Sequence, residues 1–263
     1  MEPGSKVGYR YQIIKRLGEG SSGSVYLATN TITDDRIAIK IAQTKDDVSV
    51  MQLQNESKIL KILSKESNVA ALRSFAVQSN LTYLVMDLAL SSLQTILSQG
   101  NGLDDITRMH EAIIRGLSKL HELGLIHRDI KPANILLLQN NEWALSDYGL
   151  TGPPNQMGKR LNKIIGTPKY CSCRVSNLLE PGYADDWESF LYVCLEVSNS
   201  RKIKEDYDSK YSTSLMDWNT YPPEILAAIK YVRQCNNHRI SMKYLKLLFD
   251  AYALRSSLID FTI

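Results

Sequence analysis

The apolar spacing of the chain changes near residues 89–92, and that change constrains the fold more than any other feature. Before it, β-branched and aromatic residues fall in short strand-like runs: Tyr11 to Leu17, Ser24 to Thr29, Arg36 to Ala42 and Leu81 to Leu88. A Gly/Ser turn and Thr33-Asp34-Asp35 divide the first three, which reads as an antiparallel meander. One helix interrupts them, because Leu53, Leu60 and Leu63 share a stripe within residues 46–63. Beyond Ser91-Ser92 the period becomes helical. Residues 104–123 place Ile106, Met109, Ile113, Leu117 and Leu120 on one face, with Gly124 where a helix ends. Residues 187–197, 223–234 and 241–254 follow the same pattern, and a short hairpin is expected from Ile135 to Leu138 and Trp143 to Ser146, turning at Asn140-Asn141. The expected fold class is α+β: a small β-rich lobe with one main helix over about 9–88, and a larger helical lobe over about 92–254.

Composition narrows the function. An apolar content of 44% over 263 residues supports a buried core and excludes disorder and collagen-like repetition. No run of eighteen apolar residues occurs, and the opening Met1-Glu-Pro-Gly-Ser-Lys lacks the apolar region of a secretory signal, so a soluble protein of the cytoplasm or nucleus, without membrane association, is expected. Cys171, Cys173, Cys194 and Cys235 lack zinc-ligand spacing and read as reduced thiols. A net charge of +3 is too small to suggest direct nucleic-acid binding. His110 and His121 are expected at a helix surface or rim and His127 packed inside, none of them a metal ligand. Trp143, Trp187 and Trp218 read as packing residues.

Three stretches carry chemistry. Gly18, Gly20 and Gly23 lie in Gly-Glu-Gly-Ser-Ser-Gly-Ser-Val, where bare backbone could approach phosphate oxygens; taken alone, it is equally a flexible turn. A dinucleotide-binding turn would run into a helix, whereas Ser24 to Thr29 is strand-forming, which favours a hairpin lid. In Ile37-Ala38-Ile39-Lys40, period two puts Ala38, Lys40 and Ala42 on one face, so Lys40 points inward. Glu56 shares the stripe of Leu53 and Leu60, where a carboxylate needs a cationic partner, and a Lys40–Glu56 pair is expected; the alternative is a solvated Lys and a rim Glu. Finally, His127-Arg128-Asp129-Ile130-Lys131-Pro132-Ala133-Asn134 precedes the hairpin and Asp147-Tyr148-Gly149 follows it. Phosphoryl transfer needs a carboxylate that orients a hydroxyl, for which Asp129 fits, and oxygen ligands for Mg²⁺, for which Asn134 and Asp147 fit.

Together these residues, with Gly166-Thr167-Pro168 and Asp186-Trp187-Glu188-Ser189, resemble the eukaryotic protein kinase family over residues 9–254, leaving 255–263 as a tail. The resemblance implies a bilobal fold that binds ATP and Mg²⁺. It implies that Met86 is the gatekeeper, that main-chain groups of Asp87 and Ala89 read adenine, and that Val25, Ala38 and Leu136 sandwich the base. It assigns Asp129, Lys131, Asn134, Lys40 and Glu56 to catalysis, and Asp186 to bracing the catalytic loop. Lys131, two residues after Asp129, is similar to the Ser/Thr form of that loop. Asn55 to Leu60, Asp185 to Tyr192 and Met242 to Phe249 are similar to the casein kinase I group.

Departures from the family pattern also carry information. Ser172-Cys173-Arg174 stands where most kinases have Ala-Pro-Glu, so the usual Glu–Arg pair cannot form there and Arg239, near the usual partner position, must find another acceptor. From Leu150 to Leu179 there are five Lys or Arg and no acid. This is either a solvated basic loop or a docking surface for acidic or pre-phosphorylated protein substrates, and the casein kinase I resemblance favours the second, with Lys163, Lys169 and Lys210 as anion-binding candidates. Between Gly152 and Gly166 there is no Ser, Thr or Tyr, so activity without activation-loop phosphorylation is expected. The competing reading, from another class, is a catalytically weak kinase fold acting as a scaffold or allosteric binder.

Overall fold

The computed structural model describes residues 1–20, 22–43, 45–66, 69–78, 80–100, 106–154, 159–198, 221–235 and 240–259. The chain forms two compact units: Met1–Ser91 with Leu136–Thr151, and Ser92–Ile135 with Gly152–Ile263. Lys210, Trp218 and Arg239 lie outside the described residues.

The first unit is built on an antiparallel sheet of β1 (Lys6–Val7), β2 (Tyr11–Gly20), β3 (Gly23–Asn30), β4 (Arg36–Gln43), β5 (Leu72–Val77) and β6 (Leu81–Asp87), in the order β1-β2-β3-β4-β6-β5. Alternation decides the faces of β4. Ile37, Ile39 and Ile41 join Tyr11, Ile13, Tyr26, Tyr83 and Val85 in one core cluster, each aliphatic side chain contributing about 1.5–3 kcal/mol by burial. The opposite face of β4, with Ala38, Lys40 and Ala42, is buried too, and α1 (Asp47–Ile62) packs against this strand. The Asp46 carboxylate accepts the Ser49 N–H at 3.2 Å and so caps α1. β5 is not foreseen by the apolar pattern, because Arg73 and Ser74 break its alternation and most of the strand is only half-buried at the sheet edge.

The expected hairpin is present in this unit. Leu90 N–H donates to Leu137 O at 2.8 Å, beside β7 (Ser91–Ser92), and β8 (Ile135–Leu137) returns as β9 (Trp143–Leu145) through Leu138 N–H to Glu142 O at 2.8 Å. A 3₁₀ turn over Tyr148–Leu150 follows.

In the second unit the described helices are α2 (Leu93–Ser98), α3 (Ile106–Glu122), α4 (Cys173–Ser176), α5 (Tyr183–Ser198), α6 (Pro223–Gln234) and α7 (Met242–Ile259). α3 buries Met109, Ile113, Leu117 and Leu120, as its periodicity requires, and Gly124 (φ +75°) ends it. The core of this unit is aromatic: Trp187 and Phe190 of α5 meet edge to face at 6.5 Å, and Phe249 of α7 lies 5.7 Å from Phe190. His110 is not at a surface or rim as expected. It is buried between Phe190, Phe249 and Tyr252, and burial pushes its imidazole down to about 3, so the ring is neutral. No helix among the described residues is long and apolar enough to cross a membrane.

Candidate active site

In the first unit, Lys40 joins two carboxylates. Its Nζ lies 2.7 Å from Glu56 Oε2 and 2.8 Å from Asp147 Oδ1. Burial alone would lower the lysine pKa, but the two acids more than offset it and hold the ammonium well above its usual range. Burial pushes Glu56 up while Lys40 draws it down, so this carboxylate depends on its partner to stay charged. Asp147 has a left-handed backbone (φ +61°, ψ +68°), a conformation rare for a non-glycine residue that re-aims its side chain toward Lys40. The triplet is fastened to α1 by Asn55, whose Nδ2 donates to the carbonyls of Thr151 (2.7 Å), Gly149 (3.1 Å) and Tyr148 (3.3 Å). That clamp has no pattern in the sequence.

The glycine loop is the β2–β3 hairpin, with Gly18 opposite Val25 and Gly20 opposite Gly23. Gly23 has φ +120°, and a Cβ there would stand 2.3 Å from Ile41 O. Ser22, at the turn, is buried and its Oγ lies 3.4 Å from Asp147 Oδ1. Val25 is opposite Lys40, Ala38 opposite Met86, and Ile37 opposite Asp87. Ala38 and Met86 are buried, whereas Asp87 is half-buried and its carboxylate pairs with Arg73. Ala89 and Leu136 pack partly buried against Ala70, Leu138 and Ala144. The residues that the resemblance assigns to the base thus all belong to this one unit.

The second unit holds the other set. Asp129 is buried; its Oδ1 accepts from Thr167 Oγ1 at 2.7 Å, and Lys131 Nζ lies 2.7 Å from its Oδ2 and 2.9 Å from Thr167 Oγ1. Asn134 Nδ2 donates to Asp129 O at 2.8 Å and Oδ2 at 3.2 Å. Asp186, in the first turn of α5, accepts the N–H groups of His127 (2.7 Å) and Arg128 (2.9 Å) and pairs with His121 Nε2 at 3.0 Å. Burial would raise this carboxylate, but the hydrogen bond and charge of His121, with the charge and amide of His127, overcome that and hold it below its usual value. His121, half-buried at the rim as expected, is also a brace of the loop. Arg128 has φ +71°, and a Cβ on Gly166 would stand 2.3 Å from Arg128 O, so the two segments touch at bare backbone.

Two ion pairs with residues from outside the 150–179 segment bear on how it is held. Lys169 does have an acid beside it: Glu196 Oε1 on α5 is 2.9 Å from its Nζ, and Tyr170 Oη donates to Oε2 of the same carboxylate at 2.6 Å. The sequence hid this because the acid lies 27 positions away. Lys169 is thus an internal ion-pair partner, and of the anion-binding candidates within the described residues Lys163 is the exposed one. Ser172-Cys173-Arg174 holds no Glu, and a different Glu–Arg pair lies nearby, between Arg233 of α6 and Glu188 of α5 at 2.9 Å.

Asp147 in the first unit offers a partly exposed carboxylate and Asn134 in the second an amide, each by itself a hard oxygen ligand of the kind Mg²⁺ takes. Asn134 uses its nitrogen on Asp129, which orients the amide oxygen away from that carboxylate. Each residue type fits the ion.

A model of the protein kinase domain matches residues 11–187. The chain is also similar to a Caenorhabditis elegans protein named "Putative serine/threonine-protein kinase K06H7.1", at 26% identity over 259 residues, covering 89% of this chain and 74% of that protein. With the paired Lys40 and Glu56, the left-handed Asp147 and the braced Asp129 loop, the match over most of its length assigns this chain to the protein kinase domain family.

Proposed function

We propose that this protein is a Ser/Thr protein kinase that moves the γ-phosphoryl group of ATP to a protein hydroxyl. The observation that carries the reading is the triangle of Asp129, Lys131 and Thr167, with all three contacts between 2.7 and 2.9 Å. A buried carboxylate held by an ammonium and a hydroxyl is fixed in direction, as a group that orients a substrate hydroxyl and takes up its proton must be. Lys131 beside it is the residue type that phosphoryl oxygens require. Lys40 would hold the phosphates of ATP, and its own direction is set by Glu56. Asp147 through its carboxylate and Asn134 through its amide oxygen would hold Mg²⁺, which when bound neutralises phosphate charge. The similarity to a protein named as a Ser/Thr kinase supports the choice of hydroxyl.

Within kinases, the casein kinase I group remains the nearest reading. A preference for acidic or pre-phosphorylated substrates is supported by the exposed Lys159, Arg160 and Lys163. Independence from activation-loop phosphorylation is supported by Arg128, whose Nη2 donates to Pro153 O at 2.7 Å; the loop itself thus supplies an oxygen to the guanidinium. The test is transfer of labelled phosphate from ATP to casein and to a basic control protein, with phosphoamino-acid analysis of the product. Nucleotide binding without transfer, or label on tyrosine alone, would overturn the reading.

A further inference from the structure

The segment from Gly166 to Ser176 is tied down at both ends. At one end Thr167 bonds Asp129 and Lys131, and Thr167 O accepts the N–H groups of Tyr170 (2.9 Å) and Cys171 (3.0 Å). At the other, Ser172 caps α4 by accepting the Val175 N–H at 3.1 Å, and its hydroxyl donates to Asp185. Between them, Cys173 is gripped by a buried polar cluster. Glu188 Oε1 accepts the Cys173 N–H (3.2 Å), the Tyr192 hydroxyl (2.6 Å) and Arg233 Nε (2.9 Å). Arg233 Nη2 reaches Tyr192 Oη (2.8 Å) and Cys173 Sγ (2.9 Å). The Glu188 side chain is only 3% exposed, and Arg233 is the cation paired with it there. Arg233 therefore makes a carboxylate tolerable at the one place where that carboxylate can hold the backbone of residue 173.

We propose that Arg233 is a positioning residue for phosphoryl transfer, fixing through Glu188 the segment whose Thr167 orients Asp129. The inference rests on the kinase reading and adds to it a dependence of peptide turnover on a side chain that touches neither Asp129 nor Thr167. Ser172 meets Asp185, and Lys169 and Tyr170 meet Glu196, on the same helix α5, so with Glu188 the segment is docked on α5 at three places. Among the described residues, the Glu188 site is the one of the three that recruits α6.

The experiment compares the unmodified protein with Arg233→Lys, Arg233→Met and the pair Arg233→Met with Glu188→Gln. The single Met variant leaves a buried charge and risks unfolding; the pair removes that charge and keeps an acceptor for the Cys173 N–H. Hydrogen–deuterium exchange over residues 170–177 should accelerate at least tenfold in the folded pair. The kcat for a protein or peptide substrate should fall roughly tenfold or more, while the KM for ATP stays within about twofold. Arg233→Lys should recover part of both losses. Unchanged exchange and kcat in the folded pair, or an equal loss in KM for ATP, would overturn the proposal. Absence of transfer by the unmodified protein would instead overturn the kinase reading, and exchange would still report whether Arg233 holds the segment.

Discussion

Lys40 and Asp147 stand 107 positions apart in the chain and 2.8 Å apart in space. The link spans the first compact unit from its central strand to the turn after the hairpin, and it makes Asp147 half of an ion pair. Asp147→Asn keeps an acceptor for Lys40 but removes the charge. Transfer of phosphate should fall at least a hundredfold, about 2.7 kcal/mol in barrier, because the carboxylate proposed to hold Mg²⁺ is lost. Circular dichroism should be unchanged. Near-normal turnover would contradict the role given to Asp147.

Arg128 meets the Pro153 carbonyl, and residues 152–166 offer no hydroxyl. Protein made in bacteria should therefore be active as isolated, and phosphatase treatment should change its rate by less than about twofold. A large loss after treatment would show that a phosphate elsewhere controls the loop, and mass spectrometry would locate it.

The exposed Lys159, Arg160 and Lys163 should favour peptides with acidic residues or phosphoserine near the acceptor by roughly tenfold in kcat/KM. The preference should shrink as salt rises, since exposed charges are screened beyond about 8 Å at physiological ionic strength. Lys163→Glu should erase most of it. Lys169→Met should leave it nearly intact, because that ammonium already serves Glu196. If Lys169→Met were instead the more damaging change, the ion pair would have to open when substrate binds.

His110 supplies a pH test of stability. Its folded value of about 3 lies below the ordinary 6.5, so the unfolded chain binds the proton more readily. The stabilising contribution of the neutral ring is complete above pH 6.5 and is lost as pH falls from there toward 3. At pH 4.5 the loss is about 3 kcal/mol. His110→Phe should flatten that part of the denaturation profile, and parallel curves for the two proteins between pH 7 and 4.5 would contradict this account.

Much of the first unit is legible from periodicity alone. Lys40 on the alanine face of β4 and Glu56 on the leucine stripe of α1 are each anomalous where they stand, and two opposite anomalies predict each other. Asp129, Asn134 and Asp147 are legible because tight turns with acids bracket a hairpin. What escapes is tertiary partnership between ordinary residues. Nothing local marks Glu196 as the neighbour of Lys169, or Arg233, 45 positions after Glu188, as its counter-charge. Thr167 was visible as part of a motif, but its bonds to Asp129 and Lys131 depend on a fold-back across 38 and 36 residues. The edge strand β5 and the short helices α2 and α4 are set by their surroundings more than by their own pattern.

The three glycines of the β2–β3 hairpin do not carry equal weight. At Gly18 and Gly20 an added methyl group would meet no atom within 4 Å, whereas at Gly23 it would collide with the main chain of the neighbouring strand β4. Drift from glycine to alanine or serine at the first two sites is therefore compatible with this hairpin, and only the third is locked by sterics. In this chain the hairpin can lose the first two glycines and keep its path, while loss of the last alone forces the strand beside it to shift.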